Sequence, residues 1–174
     1  MGKAMLGSAL LVGGLMAAAG AEAGPRSVGL GAGQVDPQGL GAALWLTANL
    51  RWAAGHNVVV EPEAGYWKKE ESSPAGTGSV EDLGGGVNVL YRFRPKRPLG
   101  FFAGAGAGLH YVRSSFTLGD TLKVSDNQLK QGFHLLAGVE YTLSGSVTLF
   151  AEVRHDLVAD LDQSKAAAGI RFGI

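Results

Sequence analysis

The chain has 174 residues, with 15 basic and 15 acidic side chains and therefore no net charge. This balance argues against a nucleic-acid-binding protein, which normally carries a basic excess. Cysteine is absent, which excludes disulfides, thiolate metal sites and cysteine nucleophiles. Glycine is unusually abundant, with 28 residues.

The first element in the chain is a candidate signal peptide. Lys3 is a positive residue before the apolar stretch 4–20, and Ala21 and Ala23 are the small residues that a signal peptidase reads. We therefore expect cleavage before Gly24. The alternative, a membrane anchor, is disfavoured because the apolar run is short for crossing a bilayer. The chain is thus divided into a signal peptide, residues 1–23, and one mature domain, residues 24–174.

The mature domain alternates apolar and polar side chains with the period of two that is typical of β-strands. In residues 133–143, Leu135 and Val139 share one face, whereas His134 and Glu140 share the other. The alternation predicts eight strands, at residues 27–34, 41–52, 57–68, 82–94, 99–113, 131–143, 146–157 and 165–174. Apart from the first, each reaches the ~9–11 residues that a tilted strand needs to cross a bilayer.

The connections between these strands alternate in length. Short connections are predicted at 53–56, 95–98 and 144–145, and longer polar loops at 69–81, 114–130 and 158–164. Outer-membrane barrels have short periplasmic turns and longer external loops. We therefore expect both ends of the barrel domain on the periplasmic side.

Charged side chains share one face of the predicted strands. An apolar core would not hold them, because an unpaired buried ion is costly. A soluble barrel with an apolar interior, or a solvated face of a soluble sandwich, is therefore a weaker interpretation than a membrane barrel with a polar lumen. Glycines on the same face, among them Gly104, Gly106 and Gly108, leave space for long side chains. The predicted lumen ion network consists of Arg51, Glu61, Glu63, Arg92, Glu140, Glu152, Arg154 and Arg171.

Aromatic residues on the opposite, apolar face concentrate near the strand ends. This distribution is typical of the aromatic belts at the two membrane interfaces. The predicted lipid-interface aromatics near the periplasmic ends are Trp52, Phe93, Phe101, Tyr141 and Phe172, and those near the external ends are Tyr66, Tyr111 and Phe133. The pattern predicts an all-β fold, an eight-stranded antiparallel up-and-down transmembrane β-barrel formed by residues 24–174.

With these features the chain resembles the small eight-stranded outer-membrane barrels typified by the membrane domain of outer membrane protein A. The resemblance implies the outer membrane of a Gram-negative-type bacterium and contact with outer-membrane lipids. Residues 169–174 look like the C-terminal signal read by the barrel-assembly machinery, with Ile174 where an aromatic residue is usual.

The favoured function is a non-enzymatic structural or surface-interaction scaffold with a filled polar lumen. It has no expected cofactor or metal, is expected to be a monomer, and would present its external loops to an unidentified extracellular ligand. Two alternatives remain, an outer-leaflet lipid-modifying enzyme of the deacylase or acyltransferase type and a narrow small-solute pore. The enzyme interpretation rests on His155 near the external end. Deacylases keep a serine two residues later, where this chain has Leu157, which leaves Ser114 or Ser115 as candidate nucleophiles.

Overall fold

A computed structural model of the chain is a closed antiparallel barrel of eight strands. It describes residues 27–74, 76–93, 98–118 and 122–174, so the predicted signal peptide lies outside the described residues. The strands are β1 Ser27–Pro37, β2 Ala43–Ala53, β3 Val58–Ser73, β4 Gly76–Phe93, β5 Leu99–Leu118, β6 Leu122–Ser144, β7 Val147–Val158 and β8 Gln163–Gly173. Each strand pairs with its neighbours in sequence, which confirms the predicted fold.

The barrel closes through the pairing of β1 with β8. Their register runs from Ser27 opposite Gly173 to Pro37 opposite Gln163. Closure gives the backbone N–H and C=O groups of this part of the sheet partners on both sides, as a β-structure in hydrocarbon requires. In the part of the chain that the structure describes, no helix is long and apolar enough to cross a membrane.

Inward and outward residues alternate as the sequence predicts. In β7, Glu152 and Arg154 are buried, whereas Ala151, Val153 and His155 are exposed. An apolar exterior with charged residues inside is the arrangement of a membrane barrel and the reverse of a soluble one.

Strand length differs sharply around the barrel. β1, β2, β7 and β8 have 11 or 12 residues, whereas β3, β4, β5 and β6 have 16, 18, 20 and 23. The long loops predicted at 69–81 and 114–130 are therefore wrong, since most of these residues continue β3–β4 and β5–β6 as paired hairpins. Their polarity indicated loops, but antiparallel strands can face water while their backbone groups pair with each other.

The connections lie at the two ends of the barrel, but they do not alternate between short and long, since only residues 159–162 join β7 to β8, where a longer loop was predicted at 158–164. The turns that join β2 to β3 and β6 to β7 lie at the same end as Ser27 and Gly173. The extended hairpins lie at the opposite end, which is the external end in outer-membrane barrels.

Two apolar clusters lie inside the barrel. The external plug, at the end of the hairpins, consists of Val35, Trp45, Trp67, Val112, Val158, Leu161 and Ala167. The inner apolar cluster, nearer the periplasmic end, consists of Val59, Leu90, Phe102 and Leu136. These clusters frame the polar part of the lumen.

Candidate functional site

Glycines on the inner wall make room for the lumen side chains. Gly104, Gly106 and Gly108 lie on the inner face, at positions given by the β5 alternation. A Cβ atom at Gly106 would overlap His134 and Asn88, and one at Gly138 would overlap the ring of Phe102. Bare backbone at these points therefore lets long side chains from the facing wall occupy the narrow interior.

A periplasmic arginine cluster fills the lower lumen and consists of Arg51, Arg92, Arg171, Glu61 and Glu140. Arg51 donates to Glu61 through Nε and to Glu140 through Nη1, the latter at 2.8 Å. Arg92 Nε donates to Glu140 at 2.7 Å, and Arg171 Nη2 donates to Glu61 Oε2 at 3.4 Å. With three guanidinium groups and two carboxylates, the cluster carries one excess positive charge.

Aromatic rings cover the faces of two of these guanidinium groups. The Arg51 Cζ atom lies 4.8 Å from the centroid of the Phe102 ring, and the Arg171 Cζ atom lies 4.5 Å from that of Phe150. Cation–π contacts of this kind strengthen when they are removed from water. They help to hold the charged groups in one arrangement across the lumen.

Arg154 lies in the centre of the lumen between two carboxylates. Its Nη2 atom donates to Glu63 Oε2 at 2.5 Å and to Glu152 Oε1 at 3.3 Å. The guanidinium also lies 5.4 Å from the ring of Trp45. Together with the periplasmic arginine cluster, this central group accounts for all eight residues predicted to face the lumen, and each of them makes an ion pair.

An outer polar cluster lies between the central group and the external plug, and sequence reasoning missed it. Asp82 Oδ2 lies 2.9 Å from His110 Nδ1 and accepts a hydrogen bond from Gln163 Nε2 at 3.0 Å. The Oε1 atom of Gln163 accepts from Trp67 Nε1 at 3.1 Å. Each residue is buried.

Further buried polar residues on β4, β6, β7 and β8 make contacts beside this cluster. Lys165 Nζ lies 2.5 Å from Asp156 Oδ2, and His134 hydrogen-bonds to Asn88. Asn88, His134, Asp156 and Lys165 lie on the same face of their strands as the predicted ion-network residues, so the alternation predicts that they point into the lumen. The sequence contains no local signal that pairs Asn88 with His134, which lie 46 residues apart.

Two separate cavities lie inside the described part of the barrel. A cavity of ≈20 Å³, enough for about one water molecule, lies between Trp45, His110 and Asp156. A larger cavity of ≈180 Å³ lies at the periplasmic mouth beside Arg51 and Arg92 and shares no lining residue with the first. The ion clusters and the external plug occupy the space around these cavities.

The predicted interface aromatics lie on the outer wall. Trp52 is half-buried, and the exposed ones are Tyr66, Phe93, Phe101, Tyr111, Phe133, Tyr141 and Phe172. Trp52, Phe93, Phe101, Tyr141 and Phe172 lie near strand ends. Tyr66, Tyr111 and Phe133 lie nearer the middle of β3, β5 and β6, because these strands continue beyond the ends that the sequence predicted.

The residues of the enzyme interpretation do not meet as proposed. Ser115 lies in the extended hairpin of β5 and β6, where its Oγ atom is 2.9 Å from that of Ser79 on β4. The serine that contacts His155 is Ser164, with 3.1 Å between Nδ1 and Oγ. Because β7, β8 and β1 are paired through this region, their N–H groups serve the ladder and are not free to bind an oxyanion. Within the described ranges, no group of three His, Cys, Asp or Glu residues is arranged to hold a metal ion.

Comparisons with known proteins agree with this architecture. The family described as "Outer membrane protein beta-barrel domain" matches residues 6–172. The crystal structure of Neisserial surface protein A is similar, with a TM-score of 0.63 and 20% identity over 85% of this chain and 96% of that one. The crystal structure of Ail, the attachment invasion locus protein of Yersinia pestis, is also similar. It has a TM-score of 0.62 and 14% identity over 86% of this chain and 97% of that one.

A third structural neighbour is the N-terminal barrel domain of Pseudomonas aeruginosa OprF. It has a TM-score of 0.53 and 15% identity over 87% of this chain and 100% of that one. No curated protein matches the sequence. At these identities the structural likeness shows the fold.

Proposed function

Because the chain belongs to the outer membrane protein beta-barrel family, we propose that it is a non-enzymatic surface scaffold of the outer membrane. The barrel holds the protein in the lipid, and an external sheet formed by the ends of β3, β4, β5 and β6 meets partners outside the cell. The observation that carries the proposal is the difference in length between these four strands and the other four.

The filled lumen supports a scaffold rather than a pore. An eight-stranded barrel is just wide enough for its interior to be filled by side chains. Here Trp45 and Trp67 of the external plug are each only 1% exposed, and Glu61 below them is fully buried. A lumen packed in this way makes the barrel a rigid support, and it disfavours passage of solutes.

The external sheet has a long free edge on β6. The last pair between β6 and β7 is Gly132 with Val158, whereas β6 begins at Leu122. In the part of the chain that the structure describes, residues 122–131 therefore pair with β5 only. A free edge presents unpaired N–H and C=O groups, which can add a strand from another chain.

Side chains hold this sheet in shape beyond the membrane. Arg113 on β5 donates to Glu81 on β4 and to Asn127 on β6, each at 3.1 Å. Ser72 and Thr77 are 3.2 Å apart beside the β3–β4 turn. Exposed contacts such as these are individually weak, but together they join four strands and favour a preformed edge.

The name of one structural neighbour suggests a suitable assay. Ail is described as an attachment invasion locus protein, so attachment to a cell surface is a suitable assay for this chain. We propose that any such attachment depends on the external sheet.

The experiment trims one hairpin and leaves the barrel intact. Residues 114–126 are replaced by Asn-Gly, so that the Arg113–Asn127 pair is joined by a two-residue hairpin turn. Gram-negative cells that display the protein are then tested for adhesion to an epithelial monolayer. The matched control replaces Gly145 and Ser146 in the opposite turn by Asn-Gly. We expect the trimmed barrel to remain heat-modifiable on gels but to lose the adhesion given by the wild type and the control.

Equal adhesion by the trimmed variant and the wild type would refute the role of the external sheet. Loss of heat-modifiability would show that the trimmed variant does not form the barrel. In that case the shorter trim, which replaces residues 116–124 by Asn-Gly and joins Ser115 to Ser125, provides the test.

We also propose two steps of biogenesis. The signal peptide is cleaved before Gly24, and the barrel-assembly machinery recognises residues 169–174. The position of this segment at the barrel seam supports the second step, because β8 pairs with both β7 and β1. The protein then functions as a monomer.

A further inference from the structure

The cavity at the periplasmic mouth is surrounded by hydrogen-bond donors. Its volume is ≈180 Å³, which is smaller than the sites that hold drug-sized ligands. Arg51, Arg92 and Arg171 of the periplasmic arginine cluster form part of its wall, and the hydroxyl-bearing residues Ser27 and Thr148 line the same cavity. These five residues come from five different strands, β2, β4, β8, β1 and β7, so the donors face the cavity from several sides.

Among the described residues that line this cavity, the one carboxylate is already bound by two arginines. Glu140 Oε1 accepts a hydrogen bond from Arg92 Nε at 2.7 Å, and Glu140 Oε2 accepts one from Arg51 Nη1 at 2.8 Å. The central group around Arg154 holds one excess carboxylate, but none of its residues lines this cavity. The excess positive charge of the periplasmic arginine cluster is therefore not balanced by a carboxylate in the wall of the cavity.

Several N–H groups of the same arginines lack an acceptor. Nη2 of Arg51 and both Nε and Nη1 of Arg171 are buried and form no hydrogen bond with the described residues. Nη1 of Arg171 lies 3.7 Å from Glu140 Oε2, which is too far for a hydrogen bond. Buried donors without an acceptor are unfavourable and need an explanation. Arg92 is 31% exposed at the mouth, so an acceptor from the periplasm can reach this wall.

We propose that the periplasmic mouth binds the phosphate group of a soluble periplasmic compound. A phosphate supplies the negative charge that the wall lacks, and guanidinium groups match its oxygens in geometry. Arg92 and Arg171 donate to the phosphate oxygens, and Thr148 donates through its hydroxyl.

The arrangement of the donors favours phosphate over a carboxylate. The oxygens of a phosphate group point in several directions and can accept from donors on different strands, whereas a carboxylate has only two oxygens in one plane. The cavity lies inside the ring of strands. A soluble compound therefore reaches it directly, while a lipid head group with the same phosphate chemistry lies outside that ring.

The test measures binding of inorganic phosphate to the full mature barrel by titration calorimetry. The protein is folded in a non-ionic detergent, which contributes no phosphate, and the ionic strength is held constant with chloride because exposed charges are screened by salt. We expect a saturable isotherm with about one phosphate per barrel. Acetate titrated under the same conditions should bind more weakly, since it offers fewer acceptor directions.

Two variants and a matched control locate the site. Arg92→Gln should lower the affinity for phosphate about tenfold, which is the effect of one charge-assisted hydrogen bond. Thr148→Val removes a hydroxyl with little change of shape and should lower the affinity about threefold. The control is Arg113→Gln, which removes the same charge from the external sheet, where Arg113 pairs with Glu81, and should bind phosphate like the wild type. Heat-modifiability on gels verifies folding, and Thr148→Val provides the test if Arg92→Gln does not fold.

A wild type that shows no saturable phosphate binding, or that binds acetate as tightly as phosphate, would overturn the proposal. The same conclusion would follow if Arg113→Gln lowered the affinity as much as Arg92→Gln, because binding would then depend on the net charge of the protein. Titrations in phospholipid nanodiscs distinguish the two sources of phosphate. An affinity equal to that in detergent supports a soluble ligand, whereas a lower affinity would show that lipid head groups compete for the site and would refute the soluble source.

Discussion

Glu61 is the residue whose removal should destabilise the barrel most clearly. Its side chain is fully buried and accepts hydrogen bonds from Arg51, from Asn88 Nδ2 at 3.1 Å and from Arg171 Nη2 at 3.4 Å. Substitution by glutamine keeps the shape but removes the charge. The periplasmic arginine cluster then holds three guanidinium groups against Glu140 alone, so its excess positive charge rises from one to two.

The expected loss follows from the contacts that remain. Breaking a buried ion pair from one side costs about 3–5 kcal/mol. Glu140 still lies 2.8 Å from Arg51 and 3.7 Å from Arg171, and Arg92 beside it is 31% exposed at the mouth, so water and Glu140 offset part of the loss. For Glu61→Gln we expect the free energy of unfolding to fall by about 2–3 kcal/mol. Urea unfolding in lipid vesicles, followed by tryptophan fluorescence and gel mobility, measures it.

The control and a double-mutant cycle separate pairing from a general effect of charge. Glu71→Gln removes a carboxylate from the exposed end of β3, where a surface change is worth less than about 0.5 kcal/mol. The variant with both Glu61→Gln and Arg171→Gln should be less destabilised than the sum of the two single variants, because removing Arg171 lowers the excess charge. If Glu61→Gln unfolded like Glu71→Gln, the lumen charges would be solvated and the reasoning would be refuted.

Three further predictions concern the wall, the lumen and biogenesis. Gly106→Leu should reduce folding into detergent, because its side chain overpacks His134 at a cost of about 1–3 kcal/mol, whereas outward Ala105→Leu should fold normally; equal yields would mean that the register of β5 is wrong. The wild-type protein in planar bilayers should show no large steady conductance, and such a conductance would contradict a closed lumen. Mass spectrometry of the protein purified from outer membranes should give Gly24 as the first residue, and an intact Met1 would disprove signal cleavage.

The fold could be predicted because a barrel wall imposes a period of two on every strand. Glu152 and Arg154 share an inward face whichever strands surround them, so alternation alone assigned the lumen side. The ends of β5 and β6 could not be predicted in the same way. Polar residues such as Ser125 and Asn127 occur in loops and in solvated hairpins, and only the pairing of the two strands decides between these structures.

The partners inside the lumen were beyond sequence reasoning for a different reason. Asp82 and His110 come from neighbouring strands, but Gln163, which completes their cluster, comes from the far end of the chain. The alternation predicts that a side chain points inward, but it does not predict the height of that side chain along the barrel axis. That height depends on the stagger of the closed sheet, which the pairing of β1 with β8 determines.

Packing determines the residues of the lumen more strongly than those of the external sheet, and this difference affects where partners can bind. Inside, a change at Gly106 or Glu61 meets packed neighbours, so inner residues are determined chiefly by the need to fill a narrow lumen. In the external sheet, residues 124–129 of β6 are exposed, so packing leaves their identity open. Residues that packing does not determine are the ones available for recognition. We therefore propose the external sheet, rather than the charged lumen, as the surface that binds partners outside the cell.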